Sequence, residues 1–91
     1  MINKESPARF YHHVLTCGDT AKPLDYTPVV LRECDIQIQD ENVYYGDKAN
    51  QNMELSAGDI VSYQTPVHIE DLYFKNRTAG SNATIVVVGI I

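Results

Sequence analysis

Turn-forming residues punctuate this chain at Gly18-Asp19, Asp40-Glu41-Asn42, residues 46–52, Ala57-Gly58-Asp59 and residues 76–82, and with Pro23, Pro28 and Pro66 no stretch between them exceeds about twelve positions. That interval leaves room for short strands and none for a long helix. It is the spacing of an all-β sandwich or barrel. The segments between the turns alternate as strands must: Cys34, Ile36 and Ile38 fall on one face of residues 33–39, and Glu33, Asp35, Gln37 and Gln39 on the other. One side meets a core and the other meets water. The phase slips near Arg32, since Val29 and Leu31 belong to the opposite set, and the slip predicts a bulge or a strand that changes sheets. Residues 59–65 and 72–76 read as further short strands, with Val67-His68-Ile69-Glu70 as a connecting bridge.

Composition agrees. Nine Val and eight Ile stand against five Leu and six Ala in 91 residues, with six Tyr and two Phe; such side chains lose rotamers against a helical turn but pack well on a pleated surface. Pro7, Pro23, Pro28 and Pro66 interrupt the remaining stretches, and no eleven-residue window shows a capped helical period. The expected fold is a small β-sandwich or jelly roll of six to eight short antiparallel strands, residues 13–91, preceded by an N-terminal arm, residues 1–12. A chain of this length has a thin core and often gains stability from a partner.

Two segments mark where such a partner would sit. Ile85-Val86-Val87-Val88-Gly89-Ile90-Ile91 carries apolar side chains on both faces, so it is either a central strand covered twice or part of a subunit contact. In the arm, Arg9-Phe10-Tyr11-His12-His13 has the ring-plus-arginine composition of interface hot spots. The candidate contact residues are therefore Arg9, Phe10, Tyr11, Val88, Ile90 and Ile91.

Charge is lopsided. Residues 33–71 hold nine acids and one base, Lys48, against a net −5 for the whole chain. With no basic run, neither nucleic acid nor anionic membrane is an expected partner. The opening Met1-Ile2-Asn3-Lys4-Glu5-Ser6-Pro7 lacks the apolar stretch of a signal peptide, and the longest apolar run, residues 83–91, is half the length of a membrane span. Synthesis and folding in a cytoplasm are expected. Cys17 and Cys34 are then weak evidence for a disulfide, and Asn76-Arg77-Thr78 and Asn82-Ala83-Thr84 read as turns, not glycosylation sites.

Chemistry finds little support. Adjacent His12 and His13 point to opposite faces of a strand and cannot share an ion, and His68 has only Glu70 as a same-face partner, which weakens a cupin-like metal site. Neither cysteine lies in a setting that lowers a thiol pKa, and Ser56, Ser62 and Ser81 lack a nucleophile elbow. Asp40-Glu41 and Glu70-Asp71 read as solvated turn carboxylates, and Asp19, Asp25, Asp40 and Glu41 form no calcium loop. Tyr44-Tyr45 beside Gly46 is either a sugar-stacking platform or one core ring and one covering ring. No catalytic, cofactor-binding or metal-binding residue is assigned.

From Asp35 onward the order of features resembles a module of small tailed-bacteriophage virion proteins. A strand closes on Gly plus a polar residue, Val43-Tyr44-Tyr45-Gly46-Asp47, and after a polar loop Leu55-Ser56-Ala57-Gly58-Asp59-Ile60-Val61 opens the next strand. Then come Asp71-Leu72-Tyr73-Phe74-Lys75-Asn76, a turn with Gly80, and a terminal Val/Ile strand from Thr84 to Ile90, about 57 of the 91 residues in all. The resemblance implies a non-enzymatic virion structural protein made in a host bacterial cytoplasm: a capsid decoration (cement) protein or head-fibre base, commonly a trimer, that contacts the major capsid protein or another virion protein. The alternatives are a carbohydrate- or receptor-binding β-sandwich, which would expose a row of rings on one sheet face, and a small cupin-like metal enzyme.

Overall fold

The computed structural model describes residues 8–91 and is all-β. Ten strands follow one another: β1 (Phe10–Cys17), β2 (Lys22–Pro23), β3 (Val30–Leu31), β4 (Glu33–Ile38), β5 (Val43–Gly46), β6 (Met53–Leu55), β7 (Ile60–Tyr63), β8 (Val67–His68), β9 (Tyr73–Asn76) and β10 (Ala83–Ile90). Three of the ten, β2, β3 and β8, are only two residues long, which leaves seven longer strands. A single turn of 3-10 helix, Ile69–Asp71, joins β8 to β9. No helix among the described residues is long and apolar enough to cross a membrane.

The topology is one long hairpin rolled on itself. The first strand pairs with the last, the second with the ninth, and so inward to β5 and β6, all antiparallel. Rolling then brings β10 against β4 and β9 against β5. Two four-stranded sheets result, β1-β10-β4-β7 (sheet A) and β2-β9-β5-β6 (sheet B), with β3-β8 as a two-stranded corner. This arrangement is a jelly roll. The corner explains the phase slip in the sequence: Leu31, on β3, and Cys34, on β4, are both buried, while the Arg32-Glu33 step between them is exposed as the chain passes from the corner into sheet A.

The core lies between the sheets. Sheet A contributes Leu15, Cys17, Cys34, Ile36, Ile38, Ala83, Ile85 and Val87, and sheet B contributes Val43 and Phe74, with Tyr45 stacked on Phe74 at 5.5 Å. Leu24 after β2, Leu31 on the corner and Ile69 on the 3-10 turn belong to the same cluster. Each Leu, Ile, Val or Phe among them taken from water contributes about 1.5–3 kcal/mol, which is how so short a chain holds two sheets together. Between β10 and β4 the backbones meet closely: a Cβ on Gly89 would stand 2.6 Å from the Glu33 carbonyl oxygen and 2.8 Å from the Cys34 Cβ. Only glycine fits there.

Turn carboxylates fasten the loops. Asp19 accepts hydrogen bonds from Asn76 Nδ2 at 2.7 Å and the Gly80 N–H at 2.9 Å, tying the β1 end to the turn before β10. Asp47 accepts from the N–H groups of Ala49 and Asn50, Asp59 from that of Ser56, and Asp40 from that of Thr84. Of these acids, Asp40 read in sequence as merely solvated. Gly58 and Gly80 hold φ of 91° and 82°, where L side chains are strained.

Two details differ from the sequence expectation. Phe10, Tyr11 and His12, read as part of an arm, are the first three positions of β1 and pair with Ile90, Gly89 and Val88; of the rest of that arm, residues 1–7 lie outside the described residues. The terminal strand β10 is central in sheet A, but it is covered on one face only.

Candidate assembly surface

The outer face of sheet A can be laid out row by row from its register. Phe10, Ile90 and Glu33 form the first row; His12, Val88, Asp35 and Ser62 the second; Val14, Val86, Gln37 and Ile60 the third; Thr16 and Thr84 the fourth. The β1–β10 half is largely apolar, with Phe10 72% and Val14 47% exposed and the outward residues of β10 half-buried. The β4 half is acidic and polar. Asp35 there accepts a hydrogen bond from Ser62 Oγ at 2.6 Å. At the first-row end a shallow cleft of about 370 Å³ opens between Phe10, Val88 and Ile90 on one side and Glu33, Asp35 and Tyr63 on the other.

Five of the six contact residues expected from sequence gather at this end. Arg9 precedes β1, and its carbonyl accepts from the Ile91 N–H at 2.9 Å. Phe10 lies across from Ile90, and Val88 stands one row down. Ile91 is 45% exposed, and its carbonyl oxygen accepts from Arg32 Nη2 at 2.8 Å, so Arg32 anchors the C-terminal end. Tyr11 does not join them. It faces the inner side, beside the His13 ring at 6.3 Å, and its hydroxyl donates to Asp25. Burial and that carboxylate push the Tyr11 pKa well above its usual value. Burial acts to raise the Asp25 carboxyl in turn, but the hydrogen bonds from Tyr11 and the Thr27 N–H, together with His13, outweigh it and hold the group below its ordinary range. Tyr11 is a buckle between β1 and the loop after β2.

Val14 and Ile60 belong to the same outer face and were missed in sequence, and Val86 was included there only as part of the terminal apolar run. No alternation in the sequence marks Val14 or Val86 as outward, and which phase faces out is set by the register with β10 and β4.

Elsewhere the side chains capable of chemistry are dispersed. His12 lies on the outer face of sheet A, His13 on the inner face and His68 on β8, where it meets Glu70 at 3.3 Å. Among the described residues no three His, Cys, Asp or Glu side chains stand together as a metal site. Both thiols are free. Cys17 is opposite Ala83 and Cys34 opposite Gly89, so they are offset by six positions along β10, about 20 Å at strand rise. Burial pushes the Cys17 thiol up to about 11 and raises that of Cys34 as well, away from nucleophilic character. Tyr45 turns into the core, while Tyr44 points outward with Lys75 Nζ 5.9 Å and the Arg77 guanidinium 5.6 Å from its ring centre. Two cations thus flank the outward ring.

Comparison of the chain with known protein families, curated proteins and solved structures finds no match.

Proposed function

We propose that this chain is a non-enzymatic structural protein of a tailed-bacteriophage virion, a self-associating capsid decoration protein that uses the outer face of sheet A to bind the major capsid protein. The observation that carries the reading is the apolar half of that face: Phe10, Val14, Val86, Val88 and Ile90 lie side by side with no third layer over them among the described residues. Soluble proteins rarely leave contiguous apolar surface without a partner. The acidic flank at Glu33 and Asp35 adds a charge signature, so the matching surface is apolar with basic residues beside it. The dispersed histidines, the high thiol pKa values and the order of motifs from Asp35 onward support a structural role over a catalytic one.

The test is binding to phage heads assembled without this chain. Wild-type protein is expected to co-sediment with heads to saturation and to raise their resistance to heating. Val88→Lys should not. Its ammonium can pair with Asp35 on the neighbouring strand, so the fold is kept while the apolar stripe is broken. Equal saturation by wild type and variant would remove this face from the function, and no binding by wild type would remove the decoration role.

A further inference from the structure

We propose that β1 is a docking strand for a second copy of this chain, the two copies pairing edge to edge and antiparallel across a two-fold axis so that their A sheets become one continuous sheet. The inference does not rest on the virion reading.

The first support is the direction of the backbone groups. Arg9 bonds Ile91, so the residues of β1 that exchange hydrogen bonds with β10 are the alternate set Tyr11, His13, Leu15 and Cys17. On its other side β10 uses the opposite set, as it must: the Ile90 carbonyl accepts from Arg32 and the Thr84 carbonyl from Gln39. The N–H and C=O groups of Phe10, His12, Val14 and Thr16 therefore point away from β10, and β1 pairs with no other strand among the described residues.

The second support is the contrast with the other edges. Unpaired strand edges are usually kept short or guarded by proline or charge. Here β2 has two residues and includes Pro23, β6 has three and carries Glu54, and β7 has four, with Pro66 shortly beyond. The eight residues of β1 contain no Pro, Lys, Arg, Asp or Glu. Among the described residues it is the one long edge left without a guard.

The third support is charge. The uncharged strand is bracketed by Arg9 before it and Asp19 after it. Antiparallel self-pairing brings the Arg9 end of each copy toward the Asp19 end of the other, whereas parallel pairing would set Arg9 against Arg9. Since edge-facing residues must meet edge-facing residues, the register that uses all four sets Phe10 against Thr16 and His12 against Val14, with His13 on the axis. In that register the apolar halves of the two outer faces fuse into one surface. A trimer, the order implied by the resemblance, would instead need β1 to meet an unlike edge, and β7 offers only half its length.

Sedimentation equilibrium of the full chain at micromolar concentration should give a dimer. Val14→Pro should weaken association at least tenfold with an unchanged circular dichroism spectrum, because it deletes only an N–H that faces the free edge, where proline is tolerated. His13→Cys should form a covalent dimer on mild oxidation, because the two Cα atoms on the axis would be about 4.5 Å apart, within disulfide reach. Should Val14→Pro fail to fold, this covalent trap decides alone. A wild-type monomer or trimer, or a folded Val14→Pro that still dimerises, overturns the proposal. So does a wild type that dimerises only after residues 1–7 are removed, which would make that segment the occupant of the edge.

Discussion

Strands β4 and β10 are neighbours in the middle of sheet A, and their inner faces are alike. Cys34, Ile36 and Ile38 on one, and Ala83, Ile85 and Val87 on the other, are all buried. Their outer faces differ completely. β4 shows Glu33, Asp35 and Gln37 to water, and β10 shows Thr84, Val86, Val88 and Ile90. Both strands supply what the fold requires of a sheet with one covered face, but only β4 stops there. The apolar outer residues of β10 are not needed to hold the sandwich together, and that surplus is what points to a second surface.

The largest expected effects should be the same on the two strands. Ile36→Ala and Ile85→Ala each empty space at a fully buried position, and each should cost about 2–5 kcal/mol in denaturant unfolding, depending on how far the site can collapse. A much smaller loss at Ile85 would mean that β10 is the looser strand. Next comes Gly89→Ala, in the gap between the two strands. Its methyl would press on the Glu33 carbonyl and on Leu31, and crowding of this kind costs about 1–3 kcal/mol. Tyr11→Phe should cost about 1 kcal/mol by loss of the bond to Asp25.

On the outer faces the expected stability changes are small and equal, within about 0.5 kcal/mol for Gln37→Ala and Val86→Thr. A loss at Val86 as large as that at Ile85 would show that the outer face of β10 is packed within the monomer, and the contrast between the strands would be lost. The smallest expected effect is on the acid side. Hydrogen bonds from Asn76 and Gly80 hold the Asp19 carboxyl below its ordinary value of 3.8, so its contribution is present above that pH and is lost as the pH falls through the depressed value. Asp19→Asn should therefore flatten the decline of the thermal midpoint below about pH 4 and leave the neutral-pH slope unchanged.

Local pattern made much of this architecture legible. Alternation in residues 33–38 gave β4 its inner and outer faces without reference to any other part of the chain, because a strand's side chains alternate whatever its neighbours are. The slip at Arg32 marked a real corner. The rings at residues 10–12 misled, since an edge strand and a docking arm share the same residue types and only pairing with Ile90, Gly89 and Val88 distinguishes them. The role of Asp19 was equally hidden: its partners Asn76 and Gly80 are 57 and 61 positions away.

By itself, then, the sequence determined the class of fold, the faces of its best strands and the turns between them, since these depend on steric and polar preferences spanning a few residues. Tertiary structure decided which strands are neighbours. Pairing Phe10 with Ile90 joins the two ends of the described chain and makes β10 central and β1 an edge. It also collects Phe10, Val14, Val86, Val88 and Ile90 into one patch. Such a patch is a property of register across distant segments, and no local pattern encodes it.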